Sequence, residues 1–401
     1  MGDKLTQEYI LITSSNFPAG GAGANYLNLF CKGLKACNCT VRVLLLKGFS
    51  FGGFTSKHKR HNITKEGTAF TYLGFIKRPK NVVLKVIDDF VISLNLIFQF
   101  FTFLSNRKQI KILLYNNELH SNIIIYAMAK IFGIKVISFV PEFYDKNVFK
   151  GSLLRMMKWY GFLINFSFLN VKSYKLIVFS HYLKNQYLAR GYKETDIIVQ
   201  PNLTDFDFWK ADGSIIKYQL GYSGTPTKGN GLFDLFEAIS LLQKEGINSS
   251  LVVVGDNPYG DSFVPELVTH CKNLGINDSV SFKGLVELDD VKVLLSECEI
   301  LTLTRPSIIQ TEAGFPTKLG EYFAAKKIIL VTNFGDIEKY FVEGTDLVIA
   351  QSGNVEDIAR KIKWIIQNEL KAKTITENGF NKAKALLEYK TSVNRIVGLI
   401  N

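Results

Sequence analysis

Short β-branched runs alternate with longer helical patterns along this chain. That alternation predicts an α/β protein built on parallel sheets covered on both faces. Two further observations support it. The pattern restarts after Gln200-Pro201-Asn202, and 47% of the 401 residues are hydrophobic against 21% charged. Such a composition excludes a disordered chain, because enough apolar surface exists to offset the entropy of ordering. At roughly 150 residues per domain the length fits two or three domains.

In the first half, Tyr9–Thr13 reads as a strand, Asn25–Lys35 as a helix and Val41–Leu46 as a strand. A polar loop, Lys47–Lys65, precedes a long apolar helix near Asn81–Ser105. A strand (Lys111–Tyr115), a helix (Ser121–Phe132) and a strand (Lys135–Phe139) follow. In the second half, Gly213–Ser223 contains a strand, Gly231–Glu245 is a helix and Ser250–Gly255 a strand. Phe263–Leu274, Val280–Lys283, Asp289–Ser296 and Ile300–Thr304 continue the alternation. Thr317–Ala325 reads as a helix, Ile328–Thr332 as a strand, and helices fill Val355–Asn368 and beyond. Two successive doubly wound units with a break near residues 201–212 are the economical reading. Ligands of such sheets sit beyond the carboxyl ends of the strands, here in the cleft expected between the domains.

The charge is uneven. The chain carries 48 Lys+Arg against 36 Asp+Glu, formally +12. From Met1 to Asp205 there are 27 basic and 11 acidic residues (+16), and the remainder stands at −4. A basic half suits nucleic acid, an anionic membrane or a phosphorylated substrate. No nucleic-acid module motif is present, so nucleic acid is not an expected partner. Basic and apolar residues mix in Lys150–Lys175, which includes Arg155 and Lys158, and Lys77, Arg78, Lys80 and Lys85 add to them. This suits an anionic bilayer surface, or equally a core helix with a solvated edge. The uncharged run Phe90–Asn106 falls short of the about 20 apolar residues of a spanning helix. The five cysteines form no Cys-x-x-Cys, which argues against a zinc site or disulfide framework. No cleavable signal pattern opens the sequence, so a cytoplasmic location is expected.

Three loops carry the chemistry. After the first strand, Gly20, Gly21 and Gly23 precede a helix, a pattern for backbone amides near an anion or for a plain turn. Gly224-Thr225-Pro226-Thr227-Lys228-Gly229 opens the second unit, where Lys228 at a helix start can meet a diphosphate or simply be solvated. Most informative is Ala313-Gly314-Phe315-Pro316-Thr317-Lys318-Leu319-Gly320-Glu321. Lys318 falls in the first helical turn, where it opposes the macrodipole. Glu321 lies on the same face three residues later. A cation for phosphate beside a carboxylate for ribose hydroxyls suits a nucleotide; an i,i+3 surface pair is the plain alternative.

This last segment resembles the nucleotide-sugar signature of the group 1, retaining GT-B glycosyltransferases of bacterial surface-polysaccharide type. Gly224–Gly229 resembles their phosphate loop, Leu251–Asp256 their strand ending in Gly-Asp/Glu, and Val280-Ser281-Phe282-Lys283-Gly284-Leu285 the strand beside the base. Gln200–Asp205 resembles their interdomain linker. The likeness spans essentially the whole chain and is strongest over residues 197–370.

The resemblance implies two Rossmann-like domains, 1–203 for the acceptor and 204–386 for the nucleotide sugar. A C-terminal helix, 387–401, would pack back on the first. It implies sugar transfer from a nucleoside diphosphate sugar to a glycan or lipid-linked glycan hydroxyl, without an essential metal or other cofactor, at the inner face of the cytoplasmic membrane. The donor would meet Gly224, Thr225, Lys228, Gly284, Leu285, Ala313, Gly314, Phe315, Pro316, Thr317, Lys318, Leu319 and Glu321. Lys228 and Lys318 would stabilise the departing diphosphate and Glu321 would hold ribose. The acceptor side would use Gly20, Gly21, Gly23 and Glu142.

The chain departs from the family at three points. Ala313 stands where a first glutamate is common, and Glu312 is one position early. Thr225 replaces a common arginine. No histidine follows the strand Lys135–Phe139, so Glu142 is the nearest group to orient or deprotonate an acceptor hydroxyl. His120 reads as a helix-end or core histidine, and Ser180 before His181 as a helix N-cap. A nucleotide-sugar epimerase and a non-catalytic, membrane- or partner-binding relative are the competing readings.

Overall fold

The computed structural model describes residues 7–49, 59–210, 215–258 and 260–401. Gly213 and much of the expected Lys47–Lys65 loop therefore lie outside the described residues. The chain packs as two compact units: unit 1 runs to Pro201 and includes Tyr389–Asn401, and unit 2 is Asn202–Glu388.

Unit 1 holds β1 (Glu8–Thr13), β2 (Thr40–Leu45), β3 (His61–Ile63), β4 (Ala69–Tyr72), β5 (Ile110–Tyr115), β6 (Lys135–Val140), β7 (Lys175–Val178) and β8 (Ile197–Val199). Their order in the sheet is β3-β4-β2-β1-β5-β6-β7-β8, parallel except for β3 against β4. The hairpin-like β3 and β4 were not anticipated, since each is short and flanked by polar residues. Crossovers leave β1 in one direction toward β2 and β4, and return to β5, β6 and β7 in the other. The strand order therefore reverses between β1 and β5, the place where such sheets bind ligands.

The apolar run of the sequence is the helix Val82–Thr102, started by Asn81, whose side chain accepts from the Val83 amide at 2.8 Å. Ile92, Leu96 and Phe100 are buried along one stripe, whereas Phe90, Leu94 and Phe98 are exposed along another. Among the described residues no helix is long and apolar enough to cross a membrane. The last helix, Tyr389–Ile400, packs on Ala22–Ala36 so closely that a Cβ at Gly33 would lie 2.6 Å from Val393.

Unit 2 holds β9 (Tyr218–Ser223), β10 (Leu251–Val254), β11 (Val280–Gly284), β12 (Cys298–Leu303), β13 (Ile328–Thr332) and β14 (Val348–Ala350), ordered β11-β10-β9-β12-β13-β14 and all parallel. Side chains alternate between two cores, as strand geometry requires. Leu251, Val253, Ile328 and Leu330 pack with the helices Leu232–Lys244 and Val355–Gln367. Val252, Val254, Ile329 and Val331 pack with Leu319, Tyr322 and Leu387 on the opposite face. Helices thus cover both faces, and the order reverses between β9 and β12.

Candidate functional site

In unit 2 the loops after β9, β10, β11 and β12 converge. The Gly224 amide donates to Val254 O at 2.9 Å, and the Gly255 amide to Gly284 O at 2.8 Å. Gly224 (φ +143) and Gly255 (φ +118) hold backbone that side-chain-bearing residues rarely adopt. A Cβ at Gly255 would sit 2.4 Å from Gly224 O, and one at Gly224 would lie 3.8 Å from the Lys318 side chain. The glycine turn and Lys318, more than ninety residues apart in sequence, therefore meet at the strand-order reversal.

Lys318 lies in the first turn of the helix Thr317–Ala324, which follows Pro316 in extended backbone. Its Nζ contacts Glu321 Oε2 at 3.0 Å, with the carboxylate side chain 7% exposed and the lysine 27%. Tyr322 OH accepts from the Ser223 amide at 2.8 Å and ties this helix to the end of β9. Asn202 donates to Phe315 O and to Thr317 Oγ1, fixing the helix entrance. Ala313, Phe315 and Leu319 are core residues, Gly314 is half-buried, and Leu285 is exposed beside Gly284.

Lys228 stands apart. Its side chain is 76% exposed and its Nζ lies 3.4 Å from Glu266. Thr225 O instead accepts from Asn230 at 2.6 Å within the same turn. Glu312 is engaged elsewhere: Ser307 Oγ (2.6 Å) and the Gly335 amide (3.0 Å) both donate to it.

The sequence reading missed Arg305, two residues past β12. Its Nε is buried without a hydrogen-bond partner among the described residues. Burial pulls its pKa down, and interaction with Tyr222 and Tyr322 opposes that. Those tyrosines flank Gly224 and Ser223, so Arg305 adds a cation beside the glycine turn where Thr225 supplies none. Only strand order could have found it, because nothing in the local spelling Thr304-Arg305-Pro306 marks it.

In unit 1 a cavity of about 370 Å³ sits at the corresponding reversal. The loops after β1 (Ser14, Asn16, Gly21, Gly23), β5 (Asn116) and β6 (Glu142) line it. Glu142 and two of the three predicted glycines thus come together, while Gly20 packs against Asn16 and Ala24 outside that lining. Tyr144 OH donates to Glu142. Burial pushes the Glu142 carboxyl above its ordinary value, against that hydrogen bond. Burial and the charge of Glu142 also raise the phenol of Tyr115, whose OH would lie 3.3 Å from a Cβ at Gly23.

Lys47 and Arg78 line the same cavity. Arg78, grouped by sequence with bilayer-facing lysines, is instead largely buried, and Asp88 and Asp89 each accept from it at 2.7 Å. Burial lowers its pKa, and the hydrogen bonds and charges of the two carboxylates more than offset that.

His120 opens the helix Leu119–Phe132, 3.8 Å from Glu118. Ligand atoms of Asp89, Glu118 and His120 lie within 4.8 Å of one another. Asp89 is already paired with Arg78, which it shares with Asp88, and Glu118 with Lys47 (2.5 Å), so the trio reads as part of an ion-pair network. Ser180 caps His181–Leu188 through the Leu183 amide at 3.3 Å.

Two parallel-sheet α/β units, each with its loops gathered at a reversal of strand order, define the GT-B glycosyltransferase fold, and solved structures agree. A glycosyltransferase from Rickettsia africae aligns with a TM-score of 0.72 over 98% of both chains at 16% identity. Anabaena HepE in complex with UDP and glucose aligns at 0.70 over 98% of both, also at 16% identity. At such identities the likeness carries the fold. Residues 207–382, within unit 2, match the family model of the group 1 glycosyl transferases. An uncharacterized glycosyltransferase of Methanocaldococcus jannaschii is 25% identical over 218 residues, 53% of this chain. That match spans about half the relative's length, 56%.

Proposed function

We propose that this chain is a retaining glycosyltransferase moving a hexosyl or related sugar from a nucleoside diphosphate donor to an acceptor hydroxyl. The observation that carries this reading is the meeting of Gly224, Lys318 and Glu321 at the strand-order reversal of unit 2. The C1–O bond to the diphosphate breaks, a C1–O bond to the acceptor forms, and the hydroxyl proton passes to Glu142 or, where Glu142 only orients the hydroxyl, to an oxygen of the leaving diphosphate. Lys318 and Arg305, with Lys228 from its exposed position, stabilise the negative charge that develops on the leaving diphosphate. The helix start at Thr317 adds its amide dipoles. Glu321 holds the ribose hydroxyls. No metal is required when cations and amides supply this charge. Support for a nucleotide-sugar donor also comes from HepE, whose structures hold UDP or UDP-glucose.

The acceptor occupies the unit 1 cavity, where Glu142 orients or deprotonates its hydroxyl. We assign the acceptor to the lipid-linked saccharides of cell-surface polysaccharide assembly, and the protein to the cytoplasmic face of an anionic membrane. The exposed apolar stripe of Val82–Thr102 and the exposed Lys150, Arg155 and Lys158 support this.

A screen of UDP-, GDP- and ADP-sugars read by mass spectrometry tests the reaction. Turnover of at least one donor, with the product anomer retained, is expected. Binding of none by the wild-type chain would defeat the reading.

A further inference from the structure

A second, larger cavity of about 920 Å³ lies in unit 1 and shares Lys47, Asn116 and Glu142 with the smaller one. Their linings differ. The smaller is walled by serines, asparagines, Lys47, Arg78 and Glu142. The larger exposes more apolar than polar surface, from side chains such as Leu119, Phe139, Leu154, Met157, Phe162 and Phe166, with Asn117, Glu118, His120 and Asn122 also in its lining. Its size is that of small-molecule sites, roughly 300–1,000 Å³.

Two independent features indicate an occupant. Asn122, 5% exposed, lines this cavity, and its Oδ1 has no hydrogen-bond partner among the described residues although its Nδ2 donates to Asn165 at 3.2 Å. A buried acceptor left without a donor is costly, so an occupant meets Asn122 with a hydroxyl of its polar end while its hydrocarbon lies against the apolar side chains. The second feature is the helix Leu153–Ile164. It contributes Leu154, Met157 and Phe162 to the wall, yet none of its own residues is buried. Leu153, Leu154 and Met157 remain 78%, 72% and 60% exposed, interleaved with the exposed Arg155 and Lys158. An apolar rim carrying cations fits a chain drawn from an anionic lipid surface.

We propose that this cavity holds the hydrocarbon chain of an amphiphilic acceptor, whose polar end passes Glu142 into the smaller cavity. The proposal rests on the acceptor reading of the Glu142 cavity and adds where the apolar part of the substrate binds. The smaller compartment is polar and the larger mostly apolar in the surface it exposes, with a carboxylate shared between them, so the reacting hydroxyl, carried by the polar end, lies beside Glu142.

Titration calorimetry of the full chain with octyl, decyl and dodecyl glucoside below their micelle concentrations, beside free glucose and phenyl glucoside, tests this. Affinity is expected to rise about fourfold per added methylene. Gly161 lines the cavity, and a Cβ there would meet only Leu119, at 3.8 Å. Gly161→Leu should therefore fill space and weaken decyl glucoside about 15-fold, the worth of two excluded methylenes. Leu154→Lys, a change at the exposed rim that leaves folding intact, should also weaken it. Unchanged thermal unfolding verifies both variants. The proposal is overturned if affinity ignores chain length, if phenyl glucoside binds as tightly as decyl glucoside, or if neither variant changes binding. Failure to bind any nucleotide sugar would defeat the glycosyltransferase reading and leave the alkyl glucoside series to decide the cavity by itself.

Discussion

In unit 2, Lys318 meets Glu321 within one helical turn, at 3.0 Å. In unit 1, Arg78 reaches Asp88 and Asp89 on a separate helix, each at 2.7 Å. Both cations stand beside a reversal of strand order, but they are held for different reasons. Lys318 is partly exposed and contributes little to local helix stability, since it opposes the dipole of the helix it begins. Arg78 neutralises Asp88, which is 0% exposed and also accepts from the Phe75 amide at 2.7 Å. The first arrangement leaves a cation ready for a ligand. The second fixes the wall of a cavity, because a buried carboxylate left unpaired is strongly destabilising.

Four substitutions test this contrast. Arg78→Met should have the largest effect, lowering stability by about 3–5 kcal/mol through the orphaned Asp88; thermal or denaturant unfolding measures it. A loss below about 1 kcal/mol would mean that the pair is not structural. Lys318→Ala leaves the buried Glu321 without its 3.0 Å partner, so it should cost some stability, less than Arg78→Met because Lys318 is itself partly exposed; in the folded variant donor turnover should fall about 10²- to 10³-fold, the scale of one charge-stabilising donor lost from a transition state. Steady-state kinetics would show this in kcat rather than in KM alone.

Glu142→Gln should reshape the pH profile. The folded carboxyl titrates above its ordinary 4.5. The acidic limb of kcat/KM should therefore lie above that value in the wild type and vanish in the variant. The linkage sign agrees: a raised acid contributes stability at low pH that fades as pH rises through its folded pKa, so the variant should lose less stability across that window. An acidic limb that survives in the Glu142→Gln enzyme would assign the base elsewhere. The smallest effect belongs to Lys228→Ala, about tenfold in donor affinity with no change in unfolding, because its exposed pair with Glu266 adds little to stability.

What could be read from sequence follows the same division. Alternation of strand and helix was legible because parallel strands buried on both faces read as apolar runs of the right length. The Lys318–Glu321 pair was legible because its spacing is local, and the turns at Gly224 and Gly284 because glycine marks backbone that other residues resist. Arg305, Lys47, Arg78, Tyr115 and Tyr144 were not legible as site residues. Each reaches its site through strand order or through a partner on another segment, which the local spelling does not encode. The strands β3 and β4 escaped because three or four residues carry too little periodicity to be distinguished from a loop.

The donor site is the central claim, and nucleotide-sugar turnover by the wild-type chain and by Lys318→Ala, side by side, tests it most directly. The account predicts that the wild type transfers or hydrolyses at least one UDP-, GDP- or ADP-sugar and that the variant, assayed below its unfolding transition, is slower by about 10²-fold or more. Equal rates in the two proteins, or no turnover by the wild type, would contradict it.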